Sequence, residues 1–440
     1  MKKIEPKLGR VSLLLFAVGL SWLTGRPLRS QGAVDPTQPG DCPVKSQTIN
    51  VNGDLETYIY YPDSDRCDDG TAAPYPAVAF AHGFSMFGFT NGAADNAGHG
   101  EHLASWGYVA AIPKLSDDVE GRIAEVQDVL SYLEAETQTP GSFLYGKVDT
   151  DRLVVAGHSF GGASVLALAA RDARVKAVVA LDPVYHQGGP GENPEIWDPD
   201  VEAPDITVPT CILGAPPSNC NSEADYAEIY PFVGATHKAE FFVVGASHCD
   251  FSDPGNSLCS LVCEGDTDAA RTRLTQKYMT AWFNYYIHYK TEYYDYLYGS
   301  EADSDIADGL IERQLDTAPQ NVTATGQYKA VLLEWTLYDH PVVVGYNAYR
   351  RQPAETYPDA PQIHAGRVNS HLDEGLAGGE TFFYVLCSHD AAGNEHQLSP
   401  KVSATTLGDG PPEVTPTPEP TVTPELEEKL YLPLIFKNWP

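Results

Sequence analysis

The stretch that most constrains this chain is Asp151-Arg-Leu-Val-Val-Ala-Gly-His-Ser-Phe-Gly-Gly162. Leu153 to Ala156 is a short apolar run of the kind that forms a strand buried on both faces. The run stops at Gly157, and the small and apolar residues from 161 to 170 read as a helix. Between them lies Gly157-x-Ser159-x-Gly161, the pattern of a nucleophile elbow. There the chain turns from strand to helix so sharply that the serine takes a strained backbone conformation. Glycines two residues either side are required because a side chain there would strike the neighbouring strand or helix. The turn lifts the Ser159 hydroxyl clear of the sheet. It also leaves the amide of Phe160, at a helix N-terminus, directed at a developing oxyanion.

The flanking chain reads as alternating strands and helices. Residues 47–61 alternate apolar and polar about a turn at Asn52-Gly53-Asp54, a hairpin signature. Residues 75–81 (YPAVAFA) form a buried strand ending at His82-Gly83-Phe84. After a Gly/Asn-rich loop, residues 101–106 read as helix and 108–113 as strand. In residues 117–136, Ile123, Val126, Val129, Leu130 and Leu133 share one helical face, which reads as core packing. Further strands are expected at 175–181, 209–214 and 239–245, and a helix at 269–289. This alternation predicts an α/β fold with a doubly wound, mostly parallel sheet, whose chemistry gathers at the carboxyl ends of the strands. His82, Ser159, Asp182 and the segment after Gly245 all lie at such ends.

A serine hydroxyl needs a base within hydrogen-bond reach, and that base needs an orienting acid. His248 is favoured as the base because Gly245-Ala-Ser-His248 follows a strand late in the chain, in the order serine, acid, histidine. His186 and His237 are its rivals; His158 adjoins the nucleophile but should point away. Asp182 directly ends the strand at 175–181 and is the expected acid, against a reading in which it only caps a turn. After the next strand no carboxylate appears until Glu223 and Asp225. The second oxyanion donor is expected from the amide of Phe84. The rings of Phe84 and Phe160 read equally well as an acyl pocket or as core.

Length and composition bound the rest. At 440 residues the chain is too long for one ordinary domain. Lys2, Lys3, Lys7 and Arg10 precede the apolar run 11–23, too short for comfortable spanning but suited to a secretory signal ending near residue 32. Without residues 1–30 there remain 22 basic against 59 acidic residues, a formal charge of -37. Such a surface repels nucleic acid and anionic membranes. Eight cysteines in an exported chain predict disulfides: Cys42 with Cys67, others among Cys211, Cys220, Cys249, Cys259 and Cys263, and Cys387 a buried thiol. At least one of the first seven must also stay unpaired. None has metal-site spacing. The acidic stretches at 63–70 and 303–309 lack EF-hand spacing and read as solvated loops.

Taken in order, AFAHGF, HLASWGYVAAIP, VDTDRLVVAGHSFGG, VVALDPV, GASHCDF and AWFNYY…YYDYLYG resemble the α/β-hydrolase superfamily over residues 45–300. The branch they look most like holds platelet-activating-factor acetylhydrolases, chlorophyllases and bacterial cutinase-like polyester hydrolases. In the first two groups a strand ending in Leu/Ile-Asp supplies the acid, which the resemblance carries to Asp182. The cutinase-like enzymes take it after the following strand, where this chain has no carboxylate. Residues 301–318 read as a linker. Residues 319–407 resemble a fibronectin type III domain through LEW, GYNAYR, FFYVLCSHDAAGNE and SPKVSATT, and predict a small all-β sandwich. Such a module serves as a spacer or contacts a polymer or cell surface. Residues 408–429 read as a Pro/Thr/Glu-rich spacer, and 430–440 as a short apolar tail.

The expectation is therefore an exported, monomeric serine hydrolase cleaving small or polymeric carboxylic esters through an acyl-enzyme, without metal or organic cofactor. The competing readings are a polyester hydrolase and a surface-binding protein on a retired hydrolase scaffold.

Overall fold

The computed structural model describes residues 33–85, 91–185, 197–255, 257–358 and 360–408. The expected signal segment, most of the Pro/Thr/Glu-rich stretch, the apolar tail and His186 lie outside them. Strands β1 (Val44–Val51), β2 (Leu55–Pro62), β3 (Tyr75–Ala81), β4 (Val109–Pro113), β5 (Val148–His158), β6 (Val175–Leu181), β7 (Thr210–Gly214), β8 (Lys238–Val243) and β9 (Ile311–Gln314) make one sheet. Its order is β1-β2-β4-β3-β5-β6-β7-β8-β9. Strands β4 to β8 pair in parallel, whereas β1, β2 and β9 run antiparallel at the edges.

The helices are α1 (Ala97–Ser105), α2 (Val119–Glu136), α3 (Phe160–Arg171), α4 (Pro199–Glu202), α5 (Asp225–Ile229), α6 (Ser257–Cys263), α7 (Ala269–Tyr286), α8 (Tyr294–Leu297) and α9 (Ser300–Ala307). One apolar core lies between the sheet and α2 and α3, where Ile123, Val126, Val129, Leu130 and Leu133 are all buried as their helical spacing predicts. The other lies against α1 and α7 and runs on through Trp282, Tyr298 and Trp335 into the C-terminal strands. The two faces of β5 thus bury Leu153 and Val155 on one side and Val154 and Ala156 on the other, as a central parallel strand requires.

Residues 301–318 are a correction to the sequence reading. They form most of α9 and all of β9, which extends the sheet against β8, rather than a linker. Their acidic texture misled because Asp305 is buried by partners distant in sequence: Lys277 Nζ lies 2.5 Å from its carboxylate and Tyr278 Oη donates to it at 2.8 Å.

Beyond β9 come strands β10 (Gln320–Gln327), β11 (Ala330–Thr336), β12 (Gly345–Arg351), β13 (Ile363–Gly366), β14 (Ser370–Glu374), β15 (Thr381–His389), β16 (Glu395–Leu398) and β17 (Val402–Thr405). They form two antiparallel sheets, β10-β11-β14 and β13-β12-β15-β16, with β17 also on β15. Trp335 and Tyr346 pack between them, 5.4 Å apart by ring centroids, in a β-sandwich core. The sandwich is seated on the α/β unit through aromatic rings: His340 stacks on His237 at 5.7 Å and meets Tyr298 edge-on at 4.9 Å.

Candidate active site

Ser159 sits between β5 and α3 with φ 59° and ψ -127°, the strained conformation the elbow pattern predicts. The flanking glycines are enforced by contact. A Cβ on Gly157 would fall 2.5 Å from the Gly161 carbonyl oxygen, and one on Gly161 would fall 2.1 Å from that of Ala81. The serine is pinned in place by its amide donating to Leu181 O at 2.9 Å and by its carbonyl accepting from Val184 at 3.0 Å.

Three side chains from three strand ends converge here. His248 Nε2 lies 2.9 Å from Ser159 Oγ, and His248 Nδ1 lies 2.5 Å from Asp182 Oδ2. All three residues are buried or nearly so, which keeps water from competing for these bonds. Asp182 follows β6 directly and has φ 40°. Its other oxygen accepts from Asn221 Nδ2 at 3.0 Å and from the Ala215 amide at 3.3 Å. Asn221 in turn accepts from the Asp225 amide at 3.0 Å, so it braces the acid from the loop after β7.

His248 occupies a single 3-10 turn held at both ends. Ser247 and Asp250 close a capping box, and the Asp250 carboxylate also accepts from the Asp268 amide. His99 Nε2 sits 2.9 Å from the Phe251 carbonyl oxygen, and Cys249 is bonded to Cys259 of α6. A second disulfide, Cys220–Cys263, ties the loop carrying Asn221 to the same helix. The sulfurs of Cys249, Cys259 and Cys263 lie close enough to suggest a metal site, but all three are in disulfides and offer no thiolate. Cys42 pairs with Cys67, while Cys211 and Cys387 are buried thiols.

The other candidates fall elsewhere. His237 lies under the β-sandwich, its Nδ1 3.2 Å from Tyr286 Oη, and does not approach Ser159. Asp225 accepts from the Tyr185 amide at 2.6 Å and Glu223 makes a local bond to Ser222, so neither serves His248. His158 packs behind the site, its ring 4.6 Å from that of His248. Burial first, and then that neighbour, push its pKa well below the usual range, so it stays neutral.

The end of β3 also comes up against the serine. Gly83 approaches so closely that a Cβ there would sit 3.1 Å from Ser159 Cβ. The His82 ring is buried and neutral, its pKa lowered to about 3 chiefly by burial and then by Arg122. Its Nε2 accepts from the Leu115 amide at 2.9 Å, so Nδ1 carries the proton and donates to the Gly83 carbonyl at 2.6 Å. Phe160 is the first residue of α3, where helix geometry supplies no intrahelical acceptor for its amide. Its ring is buried, while that of Phe84 is 37% exposed and meets it edge-on at 6.3 Å. The acyl-pocket reading therefore suits Phe84 better than Phe160.

A hydroxyl bonded to an imidazole that is bonded to a buried carboxylate is equipped for acyl transfer. Residues 30–319 match the PET hydrolase-like family model, well over half of the chain. The chain belongs to the PET hydrolase-like family. Among relatives of this family, it is 26% identical over 321 residues to a bis(hydroxyethyl) terephthalate hydrolase of Streptomyces coelicolor, covering 68% of this chain and 88% of that protein. It is 27% identical over 273 residues to cutinase 1 of Thermobifida cellulosilytica, covering 59% of this chain and 84% of that protein. Cutinase est2 of Thermobifida alba is 29% identical over 197 residues, or 43% of this chain and 56% of that protein. The family and these relatives are carboxylic ester hydrolases, the class expected from the elbow and its surroundings.

Proposed function

We propose that this protein hydrolyses carboxylic esters through an acyl-enzyme on Ser159. His248 takes the serine proton as Oγ attacks the ester carbonyl and returns it to the leaving alcohol. Asp182 holds the Nδ1 proton and stabilises the imidazolium. The amides of Phe84 and Phe160 receive the oxyanion, and water then repeats the sequence to release the acid. The observation that carries this reading is the hydrogen-bonded series Ser159–His248–Asp182 inside a strained elbow. None of these steps requires a metal or organic cofactor. Three disulfides suit an exported enzyme.

For substrate class we favour extended or polymeric esters. The names of the relatives support this, as do the exposed apolar side chains close to the site in sequence and structure. Phe84 adjoins the elbow, and Leu261 of α6, beside the disulfide to Cys249, is 75% exposed. The C-terminal sandwich, with the fibronectin type III pattern, would then be a fixed companion of the enzyme, one that offers a surface to a polymer or cell wall.

The test is turnover of a p-nitrophenyl ester chain-length series and product release from a polyester film, beside Ser159→Ala. Turnover that disappears in the variant supports the ester hydrolase, and film hydrolysis supports the polymer reading. If wild type and variant are equally inert and a fluorophosphonate leaves Ser159 unlabelled, a binding role on a hydrolase scaffold takes its place.

A further inference from the structure

Arg122, in the first turn of α2, is fully buried, and its guanidinium is used in an unusual way. Burying a cation is costly unless its hydrogen bonds are met, so a site that retains one calls for a reason. Among the described residues no carboxylate lies within hydrogen-bond distance of it; Asp117 approaches only to 3.7 Å. Instead the guanidinium donates to three main-chain carbonyls: Ser116 at 2.9 Å, Gly83 at 3.4 Å, and His82. Its carbon also stands 4.6 Å above the Phe160 ring.

Two of those carbonyls belong to the strand end that carries Phe84. The Gly83–Phe84 peptide is trans and planar, so its C=O and N–H point in opposite directions. Fixing the Gly83 carbonyl from one side, by Arg122 and by His82 Nδ1, fixes the line along which the Phe84 N–H points on the other. The residue after Phe84 is held as well. Asp117 accepts from the Ser85 amide at 2.9 Å, and Ser85 Oγ lies 2.8 Å and 2.9 Å from its two carboxylate oxygens. The peptides on both sides of Phe84 are therefore clamped, and the same cation packs on the ring of the other donor residue.

We propose that Arg122 and Asp117 are positioning residues that set the aim of the two oxyanion donors. This rests on the ester-hydrolase reading and goes beyond it by assigning a transition-state role to two residues that touch no substrate. Oxyanion donors act only when aimed at where charge develops, so a loosened clamp weakens transition-state binding and leaves ground-state binding alone.

The full-length protein is compared with Asp117→Asn, Ser85→Ala and Arg122→Lys using a p-nitrophenyl ester, thermal melts, and two inhibitors. One inhibitor is a boronic acid that forms a tetrahedral adduct on Ser159; the other is a planar, non-hydrolysable amide analogue. The expected result is a kcat lowered about 10- to 100-fold in Asp117→Asn and Arg122→Lys, and less in Ser85→Ala, with KM within about threefold. Boronate affinity should fall in step with kcat, planar-analogue affinity should hold, and the acid limb of the pH–rate profile should not move. Folded Asp117→Asn with kcat within about twofold of wild type overturns the proposal. So does a variant in which kcat, KM and both affinities decline together with the melting temperature, because that is general loosening. If Arg122→Lys does not fold, Asp117→Asn and Ser85→Ala, both nearer the surface, decide the matter. A wild type no more active than Ser159→Ala overturns the esterase reading and this proposal with it.

Discussion

Asp182 combines a backbone angle that few residues tolerate with a carboxylate whose two oxygens go to different partners. Its φ of 40° lies in the left-handed region, where Asp and Asn are the commonest non-glycine occupants. One oxygen meets His248, and the other is held by Asn221 and the Ala215 amide. Asp182→Asn should keep the backbone and lose the function, since an amide NH2 facing Nδ1 enforces the wrong tautomer. We expect kcat to drop about 10⁴-fold with little change in melting temperature. Asn221→Ala should lower kcat/KM about tenfold by freeing the carboxylate to turn, the worth of a hydrogen bond to a charged group. Steady-state kinetics on both would sink this account if either variant stayed within twofold of wild type. Ser159, His248 and Asp182 stand at strand ends in a recognisable order, so their convergence was legible from sequence. Asn221 and Arg122 were not, because an asparagine in a loop and an arginine on an amphipathic helix carry no local mark of what they touch.

At the scale of elements, α6 is a seven-residue helix joined at two cysteines to the chain segments that carry His248 and Asn221. A helix of that length is not stable alone, so its geometry comes from the cross-links and packing. Removing Cys249–Cys259, which closes a separation of ten residues, as a double Cys→Ser variant should cost about 3 kcal/mol in urea unfolding. Activity should fall as well, since the His248 turn loses one of its anchors. An unfolding midpoint and kcat equal to those of wild type would show that hydrogen bonds alone hold the turn. Apart from β5, which begins five residues before the expected run at 153–156, the parallel strands were readable to within a residue or two because buried runs of Val, Ile and Ala admit few alternatives. Helix α9 was not, because its Asp305 is buried by Lys277 and Tyr278, 28 and 27 positions away, and β9 was not, because its short charged run pairs only with the distant β8.

At the scale of the molecule, several buried histidines make the fold sensitive to acid. Burial holds His82, His288 and His340 at a pKa of about 3 and His102 at about 4. The unfolded chain binds protons at these positions below about pH 6.5, while the folded chain does not until near pH 3 to 4. Their stabilisation is therefore complete above pH 6.5 and is lost as pH falls, at about 1.4 kcal/mol per pH unit for each. Glu240 opposes them. Burial raises its pKa to about 7, so its contribution is full below its usual 4.5 and is lost as pH rises through 7. One carboxyl against four imidazoles predicts a lower melting temperature at pH 5 than at pH 7. His340, pressed by burial and then by His237, His396, Arg313 and Arg367, sits where the sandwich meets the α/β unit. His340→Phe should narrow the gap between the two melts; an unchanged gap would place the acid sensitivity elsewhere. Deleting residues 319–408 would bare the rings of Tyr298 and His237. It should lower the melting temperature by several degrees or more. A truncated protein that melts with the intact one would make the sandwich a detachable module.

The sequence by itself determined the architecture and the positions from which chemistry would come. Hydrophobic period, glycine placement and chain order are local signals, and the elbow has a steric requirement that only glycine meets. What the tertiary structure alone decided was contact between distant segments. It paired Cys220 with Cys263 and Cys249 with Cys259, and brought Asn221 to the carboxylate of Asp182. It placed a buried arginine under Phe84 and Phe160, and seated the sandwich on an aromatic face. Each of these depends on distances between residues far apart in the chain, which local propensity does not encode and packing sets.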